Sequence, residues 1–289
     1  MINNLLIIGE PATGKSNFLR MLAYNWSLKS SPVIQTKTPS KLLSQDVLQG
    51  YIIDRTQEAY KNVQWRLRYQ GKEIEIELPE YNGEEFLELA QTNEWKQEWI
   101  ERIQGCKGII LVISSDKDNV YDLARPAESQ VETKNNEKSV DDKSLNHDLD
   151  YIAFFQQLFF IKKISRKSKK KLPLVIVMNF WDKILKEKLE ISPEQKLKSE
   201  MPWFYEFINT NWHKDFLNIY GISPLGDHAE QLFVKSKYPK NPTKKAIEAK
   251  ERFVKDLKSQ SWVVTNDKPK EKIENLSLPI TWLFEKVGS

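Results

Sequence analysis

The chain has 289 residues, 40% of them apolar and 29% charged, which excludes the disordered and fibrous classes and leaves apolar material for a sizeable core. Lys and Arg number 44 against 40 Asp and Glu, a formal charge of +4, too small an excess to argue alone for nucleic acid or a membrane as the main partner. The single cysteine, Cys106, excludes an internal disulfide framework and a thiolate metal cluster and suits a reducing, cytoplasmic setting. Apolar runs such as 109–113 fall far below the roughly 20 residues of a membrane span, and the start MINNLLIIGE does not read as an export signal.

In chain order, residues 4–9 (NLLIIG) predict a strand that ends in glycine, then a loop, then a helix carrying Phe18, Leu19 and Leu22 on one face. Within 29–50, the stretch KLLSQDVLQGYI has the spacing of a short helix. Residues 62–78 alternate on both sides of Gln70-Gly71-Lys72, the pattern of two antiparallel strands and a tight turn. Residues 84–103, with Phe86, Leu87, Leu89, Trp95, Trp99 and Ile103, predict one helix or two broken ones, and 108–114 (GIILVIS) a fully buried strand.

Residues 116–150 are almost wholly polar and read as an insertion with too little apolar surface to offset its chain entropy. A helix is expected from Tyr151 to Ile164. The run 162–171 (KKISRKSKKK) then holds seven positive charges in ten residues; a solvated loop explains it better than RNA or a membrane surface, since no aromatic residue interleaves it. A strand at 172–179 (LPLVIVMN), two helical stretches of which the second opens at Ser192-Pro193, and a strand ending at Ser223 follow. Residues 227–274 read as a second, lysine-rich insertion with little apolar periodicity apart from SWVV at 261–264, and Ser277 and Pro279 open a last helix. The nine tryptophans mostly fall on apolar faces and suit core or interface positions, and His147, His213 and His228 have no metal-ligand spacing. Strands alternating with helices predict one α/β domain with a mostly parallel sheet and two polar insertions.

Gly9-Glu10-Pro11-Ala12-Thr13-Gly14-Lys15-Ser16 is G-x-x-x-x-G-K-S between an apolar strand and a helix, the context in which that motif cradles a polyphosphate. Backbone N–H groups of residues 12–16, among them Ala12, Thr13 and Gly14, would point at the β-phosphate, with Asn17 just behind in the helix. Lys15 would bridge β- and γ-oxygens and Ser16 would ligate Mg²⁺. The loop specifies a nucleotide triphosphate but not its base.

Two later segments address the base. Asn179-Phe180-Trp181-Asp182 follows one buried strand and Ser223-Pro224-Leu225 follows the next. Together with the phosphate loop they resemble the guanine-reading boxes of the Ras-like P-loop GTPases, and the extended size resembles the bacterial double-GTPase-type relatives linked to conflict and defence systems. The resemblance implies a mostly parallel sheet flanked by helices, GTP or GDP with Mg²⁺ at the carboxyl ends of the strands, and a switch acting on an effector protein, with an activating protein as a possible second partner. It places Asp182 on the guanine N1–H and amino group, which adenine cannot match, Asn179 as a brace, and Phe180 on the purine face in place of a lysine stem. Pro224 stands where the family usually has Ala and has no N–H for guanine O6.

The family also needs a Thr that closes over Mg²⁺ and the γ-phosphate. Thr56 has the topological position, with Thr36 and Thr38 as rivals. The acidic motif with a glycine three places on maps to Glu80 and Gly83, with Glu80 a metal-side residue, Gly83 donating an N–H to the γ-phosphate and Glu84 in the place of the water-orienting Gln. An alternative register puts Glu77 in the acidic place and Glu80 against the phosphate, where charge repulsion opposes it. The departures at Glu80, Glu84, Phe180 and Pro224 imply slow intrinsic turnover. They also keep open a pseudo-GTPase binding module or an ATP-dependent hydrolase or kinase.

Overall fold

The structure, a computed structural model, describes residues 2–28, 31–37, 49–51, 61–80, 83–92, 94–115, 140–163, 172–187, 190–227, 232 and 239–287. Eight strands form one sheet in the order β2-β3-β4-β1-β5-β6-β7-β8. They are β1 (Ile2–Ile8), β2 (Val33–Lys37), β3 (Lys61–Tyr69), β4 (Lys72–Glu80), β5 (Gly108–Ser114), β6 (Leu174–Asn179), β7 (Leu217–Ser223) and β8 (Trp262–Val264). The five strands from β4 to β7 run parallel, whereas β3 and β8 are antiparallel to their neighbours. The mostly parallel α/β fold read from the sequence is therefore present.

The central strands are continuous apolar runs because both faces of the sheet are covered. Period-2 alternation sends Leu6, Ile8, Leu111, Ile113, Ile176 and Met178 to one core and Leu5, Ile7, Ile110, Val112, Val175 and Val177 to the other. The first core is roofed by α2 (Gly83–Thr92), α3 (Gln97–Gly105), α4 (Val140–Lys162), α6 (Pro193–Glu200) and α7 (Pro202–Asn211). It is rich in rings: Phe155 stacks on Phe204 at 5.8 Å and meets Trp212 edge-on at 5.4 Å, each such pair contributing ~0.5–1.5 kcal/mol beyond its buried area. The second is roofed by α1 (Lys15–Ser27), α8 (Lys244–Lys255), α9 (Leu257–Gln260) and α10 (Leu278–Val287). The short α5 (Trp181–Lys186) leaves the tip of β6.

The hairpin forms as read, with Tyr69 paired to Lys72 across Gln70-Gly71. Both turn residues have positive φ, 48° and 75°, the twist that suits a two-residue loop. Residues 84–103 resolve into two helices, α2 and α3. The helix expected from Tyr151 starts at Val140, inside the stretch read as an insertion. Its buried Asp148 accepts the Trp203 N–H at 2.9 Å and so caps α7, whose own N-cap Met201 has no side-chain acceptor. Ser192 and Gln195 form a capping box on α6, and Pro202 starts the next helix where the sequence suggested one continuous stretch.

Within the second stretch read as an insertion, residues 244–255 form helix α8, capped by Thr243. Its buried face is only Ala246, Ala249 and Phe253, too faint an apolar signal among lysines to read. Strand β2 was not anticipated either. Of the short helix expected in 41–52, only residues 49–51 lie within the described chain, as does only the start of the basic run 162–171. Among the described residues no helix is long and apolar enough to cross a membrane. Six tryptophans are buried, Trp203 is exposed, and Trp65 lies on a strand rather than a helix.

Candidate functional site

The carboxyl ends of β1, β5, β6 and β7 fall at one edge of the sheet, since Ile8 pairs with Leu111, Ser114 with Asn179 and Met178 with Gly221. Loops leaving those ends converge there. Residues 9–14 connect β1 to α1 through a backbone with positive φ at Gly9, Ala12 (59°) and Gly14 (79°). This curls consecutive amides toward one side in the manner of an anion nest. A Cβ on Gly9 would stand 2.3 Å from the Val112 carbonyl and one on Gly14 2.1 Å from Asn179 Nδ2, so no side chain fits at either place. Lys15 folds over the loop, its ammonium donating to the carbonyls of Gly9 (2.6 Å) and Glu10 (3.0 Å). Thr13 Oγ1 donates to Glu10 O at 2.9 Å and pins the bend from inside. Ser16 and Asn17 occupy the first turn of α1. A loop closed to Cβ atoms, lined with amides and crossed by one ammonium has the donor set of a polyphosphate cradle.

The tip of β6 reaches both this loop and the neighbouring β7. Asn179, 1% exposed, donates from Nδ2 to the Thr13 carbonyl at 2.7 Å and accepts from Phe180 N at 2.8 Å through Oδ1. Phe180 then adopts φ 62°, a left-handed conformation that costs a non-glycine residue ~1 kcal/mol or more. That bend directs its ring edge to within 3.3 Å of where a Gly14 Cβ would be. Of four non-glycine residues with positive φ among those described, Ala12 and Phe180 are at this site.

One residue beyond Trp181, Asp182 is 2% exposed and accepts the Ser223 hydroxyl at Oδ1, 2.8 Å away, while Lys186 lies 3.8 Å from Oδ2. A carboxylate offers about four lone-pair positions and can accept several hydrogen bonds at once. Ser223 also reaches the Gly226 carbonyl at 3.2 Å, and Pro224 and Leu225 form the buried turn between. The structure thus brings together Gly9, Ala12, Thr13, Gly14, Lys15, Ser16, Asn17, Asn179, Phe180, Asp182, Ser223, Pro224 and Leu225 at one end of the sheet.

Thr56 and Thr38 lie outside the described residues. Thr36 sits on the edge strand β2, three strands from β1, with its hydroxyl donating to the Arg66 carbonyl at 3.1 Å; the sheet edge takes it up. Glu77 is level with Asn4, four residues below the end of β1 and so ~13 Å short of the phosphate loop. Glu80 is the last residue of β4, and Gly83 and Glu84 open α2; of Glu80, Gly83 and Glu84 the backbone alone is described.

Three supporting residues were not anticipated. Ser115, 4% exposed, donates from both N (3.0 Å) and Oγ (2.6 Å) to the Asn179 carbonyl. Trp181 packs flat on Gly221 of β7, where a Cβ would meet its ring at 2.4 Å, and this contact fixes the turn that carries Asp182. Glu10, 2% exposed, is a buried residue of the loop itself. Among the described residues no group of three or more His, Cys, Asp or Glu could hold a metal ion.

No curated protein matches the chain in sequence. Residues 6–283, nearly its whole length, match the family of double-GTPase 1. The family implies guanine-nucleotide binding, and the chain belongs to the double-GTPase 1 family.

Proposed function

We propose that the protein binds GTP and GDP with Mg²⁺, hydrolyses GTP slowly, and acts as a nucleotide-dependent switch on a partner protein. The observation that carries the reading is the double duty of the β6 tip. Asn179 is bonded to the phosphate loop, and three residues later Asp182 is held by Ser223, so the two halves of a nucleotide site are fixed at one spacing. Lys15 and the amides of residues 12–16 would take the phosphates, and Asp182 the guanine N1–H and amino group. Phe180 would lie against the nucleotide with its ring. Ser16, with Thr56 and Glu80, would hold Mg²⁺, which neutralises charge on the β- and γ-phosphates when bound.

In hydrolysis, water adds to the γ-phosphorus and the bond to the β-γ bridging oxygen breaks, giving GDP and inorganic phosphate. Gly83 would donate to the γ-phosphate. Glu84 would take the place where water is oriented, and a carboxylate there would oppose the negative charge of the phosphates, so turnover would be slow unless an activating partner supplies a cation. The register of β4 supports Glu80 over Glu77 for the acidic role, since Glu77 is level with Asn4 inside β1 whereas Glu80 is the last residue of its strand. The effector, the cytoplasmic setting and the link to conflict systems rest on the family resemblance and on Cys106 being the single cysteine.

The test is displacement of a fluorescent guanine nucleotide from the purified chain, followed by single-turnover hydrolysis. GTP and GDP displace the probe and ATP does not, and bound GTP then converts slowly to GDP and phosphate. Displacement by ATP as readily as by GTP would overturn the base assignment. Tight GTP binding with no conversion would leave a nucleotide-holding binding module, the reading favoured by the departures at Glu80, Glu84, Phe180 and Pro224.

A further inference from the structure

Pro224 leaves the base side of the proposed nucleotide site one N–H short, and the turn that carries it is backed by Gln260, the last residue of α9. Gly226 closes that turn at φ 69°, and an added Cβ there would stand 2.3 Å from the Gln260 carbonyl and 2.7 Å from its Oε1. Strand register places Gln260 on the base side of the sheet. Ser223 pairs with Trp262, so their side chains share a face, and Ser261, between Trp262 and Gln260, is extended. The Ser261 hydroxyl lies on the opposite face, where it accepts from Asn25 Nδ2 of α1 at 3.1 Å. Alternation therefore turns Gln260 to the face on which Ser223 holds Asp182. Gln260 is only 8% exposed, yet its side-chain amide makes no hydrogen bond to any described residue. A buried amide without a partner is the exception among native side chains, and an acceptor on a ligand would satisfy it.

From this placement we infer that Gln260 is a specificity-determining residue of the site, donating from Nε2 to the purine O6 that Pro224 cannot serve. The inference rests on the guanine assignment of the site. With Oε1 against Gly226, the other branch of the amide is Nε2, which carries two N–H donors. Guanine O6 is an acceptor, whereas adenine presents an amino group at the same position and would set donor against donor. Asp182 and Gln260 then divide the base edge between them: the carboxylate accepts from N1–H and the 2-amino group, and the amide donates to O6. The pair reads both polarities of that edge, which neither residue can do alone. A side-chain donor reaching in from α9 also explains how a proline is tolerated at 224, because O6 no longer needs the main-chain N–H of that residue.

The test is competition against a fluorescent guanine nucleotide on the full chain, comparing GTP with 6-thio-GTP, in which sulfur replaces O6 while N1–H and the 2-amino group stay in place. Sulfur is the weaker acceptor, so the wild-type chain holds GTP about 10-fold tighter than 6-thio-GTP. Gln260→Met keeps the volume and removes the donor. GTP affinity then falls to near that of 6-thio-GTP, whose own affinity stays within about 2-fold of its wild-type value. Gln260→Glu lowers GTP binding further, because a carboxylate then faces O6. In the nucleotide-free chain Gln260→Met leaves the unfolding temperature within about 2 °C of wild type, since the amide holds no protein partner. An equal fall for GTP and 6-thio-GTP in Gln260→Met would make Gln260 a prop for the turn, and unchanged affinity for both would hand O6 to another donor such as the Leu225 N–H. Either result overturns the proposal while guanine binding itself stands. A wild-type chain that binds no guanine nucleotide would remove the guanine assignment, and the proposal with it.

Discussion

The two halves of the proposed nucleotide site are built from different materials. The phosphate half is backbone: its curvature comes from positive φ at Gly9, Ala12 and Gly14, and its cation, Lys15, is bonded to the loop's own carbonyls. The base half is side chain: Asn179, Asp182 and Ser223 are all buried, Asn179 bonded to the Thr13 carbonyl at 2.7 Å and Ser223 to Asp182 at 2.8 Å. A cradle made of amides tolerates almost no sequence change, because a Cβ in the wrong place fills it. A reader made of side chains tolerates substitution at its edges while its hydrogen-bonded centre keeps its form. This is why the phosphate loop matches its motif at every specified position while the base side carries Phe180 and Pro224.

The largest break in that contrast is expected at Gly14, where the two halves touch. A methyl group there would stand 2.1 Å from Asn179 Nδ2 on a backbone at φ 79°, so Gly14→Ala both strains the loop and pushes the base-side brace away. Nucleotide affinity measured by fluorescence titration should fall ~1,000-fold or more, about 4 kcal/mol. Retention of near-normal affinity would mean that the loop is not the phosphate site.

Asp182→Asn should break one half and spare the other. The amide keeps one acceptor and replaces the other with a donor facing the guanine amino group, so preference for GTP over ATP should drop ~100-fold, about 2.7 kcal/mol, while triphosphate binding as such persists. Unchanged guanine preference in the competition assay would remove Asp182 from its role.

The same contrast governs what could be read from the chain without coordinates. The phosphate loop, the buried strands 108–114 and 174–179 and the hairpin at Gln70-Gly71 each announce themselves locally, by a run, an alternation or a turn pair. Strand β2 did not, because VIQTK is a half-exposed edge in which Ile34 is 42% exposed, so the apolar alternation that marks a strand is missing. Helix α8 was hidden by a buried face of two alanines and one phenylalanine. Ser115, the seat of Trp181 on Gly221 and the cap that Asp148 gives to α7 are tertiary contacts between residues far apart in sequence, and no period or spacing encodes them. Motif residues were legible; the residues that hold them still were not.

Asn179→Ala tests that support on a smaller scale. It strips the buried Thr13 carbonyl of the Nδ2 donor and Phe180 N of its acceptor, and an unsatisfied buried group costs ~1–3 kcal/mol. Thermal unfolding should move down by several degrees, at ~2–4 °C per kcal/mol for a chain of this order of size, even without nucleotide. A shift that appears only with nucleotide bound would make Asn179 a ligand contact alone and not the strut between the halves.

The smallest effect is expected at Ser223→Ala, and its size carries the sharper information. The hydroxyl donates to Asp182 Oδ1 and also lies 3.2 Å from the Gly226 carbonyl, so its removal takes one hydrogen bond from a carboxylate that keeps the neighbouring Lys186 at 3.8 Å. A bond to a charged group contributes ~1.5–3 kcal/mol at most, and here the ammonium makes up part of the loss. Guanine-nucleotide affinity should therefore fall about 5-fold, near 1 kcal/mol, with ATP still excluded, because Asp182 retains both acceptor oxygens. If Ser223→Ala instead erased the preference for guanine, the hydroxyl would be what orients the carboxylate. The base half would then depend on a single rotamer, as the phosphate half depends on its backbone, and the distinction between a rigid cradle and a tolerant reader would disappear.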